Sequence, residues 1–198
     1  QADGTTASVQ FGSNIVGSSF TVCSVTRWVN SDSPLLSTSV NQARILQGST
    51  NWLMGQWWYS VAANSARMGV AFFNEWVTQW NSPVNDVGGA VADSSTDWVV
   101  MCAAGGTSPG SGLRLANFVD VSNGNSGTGQ TELWINGGLG EGTLASTNWA
   151  IAQLMVWDVG LSEEEIYNAA TYVYQTSLCA TAPPPSPPPS PLPPAPFP

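Results

Sequence analysis

The sequence contains no histidine and no lysine, and charged residues make up only 9% of its 198 residues. Without histidine, the chain cannot supply an imidazole general base, a Ser-His-Asp or Cys-His nucleophile, or a histidine metal ligand. Four arginines stand against thirteen acidic residues, and the resulting net charge of -9 repels nucleic acids and anionic membranes. We therefore expect no nucleic-acid partner and none of the commonest hydrolase or zinc arrangements.

Long hydrophobic runs and N-glycosylation sites are also missing. No apolar run approaches the roughly 20 residues of a membrane span, so we expect no transmembrane segment. No Asn-x-Ser/Thr triplet occurs, so any glycan must be O-linked. The chain begins at Gln1 rather than at a methionine, as expected of a mature protein after signal cleavage or of a truncated one.

Cysteine is scarce, with three residues, Cys23, Cys102 and Cys179. In a secreted chain, an odd number indicates one intramolecular bridge plus a remaining thiol, or a bond between chains. Three reduced, buried thiols in a cytosolic protein are the alternative. We favour secretion, because a composition without lysine and with a proline-rich end fits a cytosolic protein poorly.

Proline is concentrated at the C-terminal end, where it supplies eleven of the last sixteen residues. It lacks an amide donor, fixes its own φ and drives the preceding residue into extended conformations. Residues 181–198 are therefore predicted to form a polyproline II rod outside the core, about 50 Å long at about 3.1 Å per residue. We expect a neighbouring subunit or covalent sugar to hold this rod, with an interdomain spacer as the alternative.

Residues 1–180 have the size of one domain with a full hydrophobic core. Short apolar or alternating segments recur along them, separated by Gly, Ser, Asn, Asp and Pro. Phe20 and Val22, for example, fall on one face of a strand, and Cys23 and Val25 fall on the other. This pattern predicts an all-β fold, a two-sheet antiparallel sandwich.

One helix is predicted at the end of this domain, over residues 162–178. Ser162 is its N-cap, Glu165 completes a capping box, and the acidic first turn suits the positive end of the helix dipole. The apolar stripe that would face the core consists of Ile166, Ala169, Ala170 and Val173.

Four sequence blocks carry a resemblance to a known fold family. They are Phe20-Thr-Val-Cys, Trp98-Val-Val-Met-Cys, Leu133-Trp-Ile-Asn-Gly, and Leu154-Met-Val-Trp-Asp-x-x-Leu-Ser-x-x-Glu-Ile166. Together they resemble the laminin-G and pentraxin branch of the concanavalin A-like jelly rolls, over roughly residues 18–175. Because pentraxins bridge the cysteines that match Cys23 and Cys102, the resemblance implies a disulfide between these two. Cys179 is then either an interchain bridge at the base of the tail or a free thiol.

The resemblance does not extend to the pentraxin calcium site. That site lies in an acidic loop between the strands that correspond to residues 133–136 and 151–157, and Glu141 is the only acid in this interval. We therefore carry no calcium site over to this loop, and we predict no metal site and no cofactor for the chain. Laminin-G-like domains often hold one calcium ion, so the resemblance leaves a weak calcium site open elsewhere.

The tail resembles the hydroxyproline-rich, extensin-like glycoproteins of plants and green algae, through its Ser186-Pro-Pro-Pro and Ser190-Pro blocks. In that group such prolines are hydroxylated and carry arabinose- or galactose-containing chains, so the resemblance implies covalent O-glycans. The candidate positions are Pro184, Pro185, Ser186, Pro187, Pro188, Pro189, Ser190, Pro191, Pro193, Pro194 and Pro196. A ligand for SH3-type domains is the competing interpretation, but the tail lacks the basic residue that usually flanks one.

Ten tryptophans supply candidate contact residues. If residues 68–80 form one long strand, Trp76 and Trp80 share a face with Phe72. One sandwich core cannot bury this double-faced aromatic pattern fully, so we expect it to contact sugar or, preferentially, another subunit. The candidate contact residues are Trp57, Trp58, Trp76 and Trp80.

A glycosidase of this fold would need two carboxylates about 5–9 Å apart, and no strand carries such a pair. The sequence therefore predicts a non-enzymatic, secreted structural glycoprotein at a cell wall, matrix or flagellar surface. In this hypothesis the chain is a homo-oligomeric subunit of an extracellular fibre, wall or flagellar-surface appendage, and its glycosylated tail mediates assembly. A lectin-like carbohydrate-binding module displayed on a proline-rich stalk is the alternative.

Overall fold

The computed structural model describes residues 8–12, 14–28, 44–49, 51–58, 66–79, 98–106, 112–129, 132–137, 139–140, 143–144 and 149–179. These ranges contain twelve β-strands and one α-helix. The strands are β1 (Val9–Gln10), β2 (Phe20–Trp28), β3 (Leu46–Gly48), β4 (Trp52–Trp58), β5 (Ala66–Phe73), β6 (Val99–Gly105), β7 (Arg114–Ala116), β8 (Val119–Asp120), β9 (Leu133–Ile135), β10 (Leu139–Gly140), β11 (Thr143–Leu144) and β12 (Trp149–Trp157). The helix, α1, spans Glu163–Leu178.

Ten of these strands form two antiparallel sheets of five strands each. Sheet A has the order β1-β9-β3-β4-β5, and sheet B has the order β12-β2-β6-β7-β8, while β10 pairs with β11. The predicted fold class, an antiparallel two-sheet sandwich with one C-terminal helix, is confirmed. The predicted polyproline II rod, residues 181–198, lies outside the described residues.

The main core lies between the inner faces of the two sheets and is centred on aromatic rings. Phe20 of β2 packs edge-on against Phe73 of β5 at 5.2 Å between ring centroids, and Trp52 of β4 stacks on Phe73 at 4.8 Å. All three side chains are fully buried. Because aromatic side chains bury about 150–250 Å² each, this cluster contributes a large share of the hydrophobic stabilisation.

One polar connection crosses this core. Thr26 of β2 donates its hydroxyl proton to Gln56 Oε1 at 2.9 Å, and the Gln56 side-chain amide donates to the Thr26 carbonyl at 3.1 Å. Both residues are fully buried, and each partner satisfies the other. The pair therefore fixes β4 of sheet A against β2 of sheet B without leaving these groups unsatisfied.

A second apolar layer lies on the outer face of sheet B, where α1 packs. Cys23 and Val25, on the second predicted face of β2, meet the buried helix residues Ile166, Ala170 and Val173. Covering both faces of β2 explains why its side chains are buried on both sides. The predicted apolar stripe of the helix is confirmed, with Ala169 at its partly buried edge.

Both ends of α1 are anchored to sheet B, and the first contact lies just before the helix, where the Leu161 amide donates to the Thr21 hydroxyl of β2 at 2.9 Å. At the start, the predicted capping box is present: Ser162 accepts from the Glu165 amide, and Glu165 accepts from the Ser162 amide at 2.8 Å. Near the last turn, the Thr176 and Ser177 hydroxyls donate to Gln153 Oε1 of β12, each at 2.8 Å. The helix therefore forms one rigid unit with the sheet beneath it.

Candidate functional site

The outer face of sheet A carries an apolar cluster built on the β4–β5 pair. Leu53 lies directly opposite Phe72, and Trp57 lies directly opposite Arg67. Side chains that face each other across an antiparallel pair point to the same side of the sheet. The register therefore brings Trp57 and Phe72 to the outer face, while the inner face meets the main core.

A β-bulge keeps this face apolar. The register shifts between Gly55 and Gln56, and Gly69 is the extra residue on β5. Gly69 has φ of 68°, the left-handed conformation that glycine adopts without a steric penalty. The bulge changes the alternation, so that Met68 points into the main core and Val70 points to the outer face.

The outer cluster contains five apolar side chains in edge-on and tilted ring contacts. Trp76 lies between Trp57, at 5.1 Å between centroids, and Phe72, at 5.2 Å. Trp57 is only 5% exposed, whereas Phe72 and Trp76 are half-buried. Leu53 and Val70 form the buried floor beneath the rings. We name these five residues the outer aromatic cluster.

Trp76 reaches the outer aromatic cluster by a turn and not by a continuing strand. β5 ends at Phe73, Asn74 adopts φ of 61°, and Trp76 returns to pair with Phe72 in an antiparallel bridge. The predicted single strand over residues 68–80 is therefore wrong. The shared face of Phe72 and Trp76 is nevertheless confirmed, because the hairpin-like return places the two rings together.

A polar loop holds Trp76 in place. The side-chain amides of Asn123 and Asn125 both donate to the Trp76 carbonyl, at 2.7 and 2.8 Å. The Asn123 backbone amide donates to the Val77 carbonyl, and the Gln79 amide donates to the Val121 carbonyl. This supporting role is not evident from the sequence, because an Asn- and Gly-rich stretch signals only a turn or loop.

A buried arginine supplies the positive charge behind this loop. Arg114 of β7 is fully buried and donates from Nη2 to the Ser126 carbonyl at 2.7 Å. Burial lowers the pKa of Arg114 to about 10, while the negative charges of Glu75 and Asp120 oppose that shift. The side chain stays protonated at neutral pH and attracts these two carboxylates.

Several carboxylates of the described residues bind backbone or side-chain donors. Glu75 accepts from the Gly127 amide at 2.9 Å, Asp120 accepts from the Ser122 hydroxyl at 2.6 Å, and Glu132 accepts from the Trp134 indole at 3.2 Å. Within the described ranges, no three His, Cys, Asp or Glu side chains are grouped so that they could hold a metal ion. The weak calcium site and the absence of an enzymatic activity both stay predictions.

Trp134 is a candidate that sequence reasoning did not single out. Its neighbours Leu133 and Ile135 both belong to the main core, so Trp134 points to the outer face of sheet A. It is half-buried and lies two strands from β4, about 10 Å away. The sequence signal that could have identified Trp134 is the alternation in β9, where Trp134 stands between two core residues.

The remaining predicted residues fall into three groups. Cys23 and Cys102 lie directly opposite each other on β2 and β6 and form the predicted disulfide. Cys179 follows α1 as an exposed free cysteine, and its interchain bond stays a prediction. Trp80, the side chain of Trp58 and all candidate glycosylation positions lie outside the described residues.

Comparisons with known proteins assign no family: no protein-family model matches the sequence, and no curated protein matches it. The buried disulfide itself indicates folding in an oxidising environment. Within the described part of the chain, no helix has the length and hydrophobicity needed to cross a bilayer.

Proposed function

We propose that this protein is a secreted, non-enzymatic structural glycoprotein, a subunit of an extracellular fibre, wall or flagellar-surface appendage. The observation that carries the proposal is the junction between α1 and the tail. The helix is held to a disulfide-bonded sandwich by Leu161 before its first turn and by Ser177 in its last turn, and the first proline of the tail follows Cys179 by four residues. A stiff, sugar-bearing rod attached to such a rigid base suits assembly.

The outer aromatic cluster supports a lateral contact between subunits. Trp76 and Phe72 are half-buried, and tryptophan is among the residues that dominate the energy of protein interfaces. The chain carries a net charge of -9, so association must depend on such apolar contacts and overcome electrostatic repulsion. In this proposal the rods link subunits along the assembly and the aromatic clusters link them sideways.

Two features support a laminin-G or pentraxin type of sandwich as the finer classification. A bridge joins adjacent strands β2 and β6, and a capped helix follows β12 after a short turn. The turn is tied to β2, where Thr21 donates to the Val159 carbonyl at 3.1 Å and accepts from the Leu161 amide at 2.9 Å. The turn and the first helical turn contain the Leu161-Ser-x-x-Glu-Ile166 block, which is the most specific part of the resemblance.

Peptide mass spectrometry of native material, without reduction, tests the proposal. It should cover residues 180–198 and all three cysteines. We expect hydroxylated prolines that carry pentose or hexose chains, and a peptide that contains two copies of Cys179 joined by a disulfide. Bare prolines, together with a protein that stays monomeric at high concentration, would refute the structural role.

The lateral contact needs its own test. Trp76→Ala should reduce self-association of the full chain in sedimentation velocity. Trp98→Ala is the matched control, because Trp98 is also half-buried but packs against the apolar layer on the outer face of sheet B, and Arg27 lies 4.7 Å above its ring. If Trp76→Ala and Trp98→Ala associated equally well, the outer aromatic cluster would not be part of the assembly contact.

A carbohydrate-binding role is the second candidate, and the aromatic outer face of sheet A favours it. Trp76, Phe72 and Trp134 are half-buried there, and aromatic rings on a sheet stack on sugar faces. A glycan array, probed with and without calcium, distinguishes the two roles. Glycan binding that disappears in Trp76→Ala would support the lectin, whereas a blank array would leave the aromatic face to subunit contact.

A further inference from the structure

One flank of α1 presents tyrosines to solvent. Tyr167, Thr171, Tyr174 and Leu178 are spaced by four, three and four residues, which places them on one side of the helix. Tyr167 is 44% exposed and Tyr174 is 38% exposed. The Thr171 hydroxyl donates to the Tyr167 carbonyl at 2.9 Å, so it is satisfied within the helix. We name these four residues the tyrosine stripe.

Phe118 extends this surface from a strained turn. It lies in the two-residue turn between β7 and β8, where Asn117 and Phe118 have φ of 47° and 67°. Turns of this kind prefer Asn-Gly, because a large side chain is strained at positive φ. The Phe118 ring nevertheless stays 39% exposed and packs edge-on against Tyr174 at 5.5 Å. The turn therefore holds an aromatic ring beside the tyrosine stripe, despite the strain of its backbone.

Exposed tyrosines in a row suit a polyproline II ligand. Proline-rich segments dock on aromatic side chains, and their carbonyls, which have no internal hydrogen bonds, can accept from tyrosine hydroxyls. Seven residues separate Tyr167 from Tyr174, a rise of about 10.5 Å along the helix axis. A polyproline II helix repeats every three residues, about 9.3 Å, so successive turns of the ligand can meet successive rings.

The chain itself contains a segment with this chemistry. Its last eight residues, Pro191-Leu-Pro-Pro-Ala-Pro-Phe-Pro, include two overlapping Pro-x-x-Pro sequences. In a helix with three residues per turn, Leu192 and Ala195 share one edge. Neither residue can become hydroxyproline, so that edge is apolar and carries no site for the proposed glycans. Charge plays no part, because the tail has no charged residue.

We propose that the tyrosine stripe and Phe118 bind residues 191–198 of a second copy of this chain. The contact rests on the proposed function, because it gives tail-mediated assembly its docking surface. It would bury the exposed rings of one copy under the apolar edge of the tail of the next.

The position of the tail favours a second copy over the same chain. The tail follows the C-terminal end of α1, which lies at Leu178. To reach its own stripe, the tail would have to reverse direction within residues 180–182, which contain neither glycine nor proline. A rod of about 50 Å also exceeds the roughly 24 Å length of the helix, so it extends to a neighbour.

Sedimentation velocity of the full chain carrying Cys179→Ser, which prevents the proposed interchain disulfide, tests the contact over a concentration series. We expect self-association that a synthetic peptide of residues 183–198 competes away and that added salt does not weaken. The double substitution Tyr167→Ala with Tyr174→Ala should weaken association at least about tenfold, since both rings lie at the centre of the contact. Leu192→Asp should weaken it comparably from the side of the tail.

Tyr172→Ala is the matched control. Tyr172 is 53% exposed on the opposite flank of α1, so its removal should change association less than about twofold. The contact would be overturned if Tyr172→Ala weakened association as much as the Tyr167→Ala, Tyr174→Ala double variant does. It would also be overturned if the peptide did not compete. If mass spectrometry still finds glycosylated hydroxyproline, the proposed function survives that failure. Bare prolines combined with peptide competition would instead reject the glycoprotein role and retain the contact.

Discussion

The two outer faces of the sandwich are both apolar, yet they are closed in different ways. The outer face of sheet B is largely aliphatic; α1 covers it, and the Cys23–Cys102 disulfide lies beneath the helix. The outer face of sheet A is aromatic, and Trp76 and Phe72 on it are half-buried. The outer face of sheet B therefore serves stability, whereas the outer face of sheet A keeps partly exposed aromatic surface that is suited to contact.

Removing the disulfide should produce the largest loss of stability and should affect the helix-covered face. The bridge closes a loop with a sequence separation of 79 residues. On the loop-entropy model, Cys23→Ala with Cys102→Ala lowers the free energy of unfolding by about 4 kcal/mol. Urea denaturation followed by tryptophan fluorescence measures this loss. Cys179→Ser should change the free energy of unfolding of the monomer by less than about 0.5 kcal/mol. A loss as large as that of the double variant would contradict the view that the Cys23–Cys102 bridge stabilises the fold.

Trp57→Ala should have the next largest effect and would break the aromatic face. Trp57 is buried and contacts Trp76, so its truncation leaves a cavity that costs about 3 kcal/mol. The same urea titration measures the change, and the half-buried Trp76→Ala should cost clearly less. If the two losses were equal, Trp76 would be a structural residue, and its role in contact would weaken.

Gly69→Ala should lower the stability by a smaller amount, and it tests how much the bulge on the aromatic face of sheet A contributes. Any side chain at φ of 68° is strained by about 1–2 kcal/mol, and the bulge at Gly69 directs Val70 to the aromatic face. Thermal unfolding by circular dichroism should show a lower Tm. Gly12→Ala is the control, because a Cβ at Gly12 meets nothing within 4 Å. A wild-type Tm for Gly69→Ala would mean that the bulge relaxes without cost.

Ser162→Ala should have the smallest effect, a loss of about 1 kcal/mol, by removing the helix N-cap above sheet B. The Ser162 backbone amide and hydroxyl both hydrogen-bond Glu165 and lower the pKa of its carboxyl below the ordinary 4.5. This stabilisation is present above the ordinary pKa and is lost as the pH falls through the lowered value in the folded protein.

Urea midpoints at about pH 7 and about pH 3 measure this pH dependence. The wild type should lose the contribution of the capping box at the lower pH. Ser162→Ala should lose less on acidification, because one of its two hydrogen bonds to Glu165 is already missing. The opposite order would show that the acid sensitivity of α1 arises elsewhere.

Local patterns in the sequence predicted the strands and the helix well. The alternation in β2 placed Phe20 and Cys23 on opposite faces, since side chains in a strand alternate regardless of what covers them. The structure then shows Phe20 in the main core and Cys23 against the helix. The capping box at Ser162 located the start of α1, because it depends on residues only three apart. The proline-rich composition of residues 181–198 predicts a separate tail, and this prediction lies outside the described residues.

Tertiary structure decided which distant residues meet. Only the register of β2 and β6 placed Cys23 opposite Cys102; the sequence implied that pair through a resemblance alone. The turn at Asn74 brought Trp76 back onto Phe72, and the turn at Phe118 met a helix residue more than fifty positions away. Periodicity encodes the face on which a side chain lies, whereas turn geometry and strand register determine its neighbours, and these depend on contacts remote in sequence.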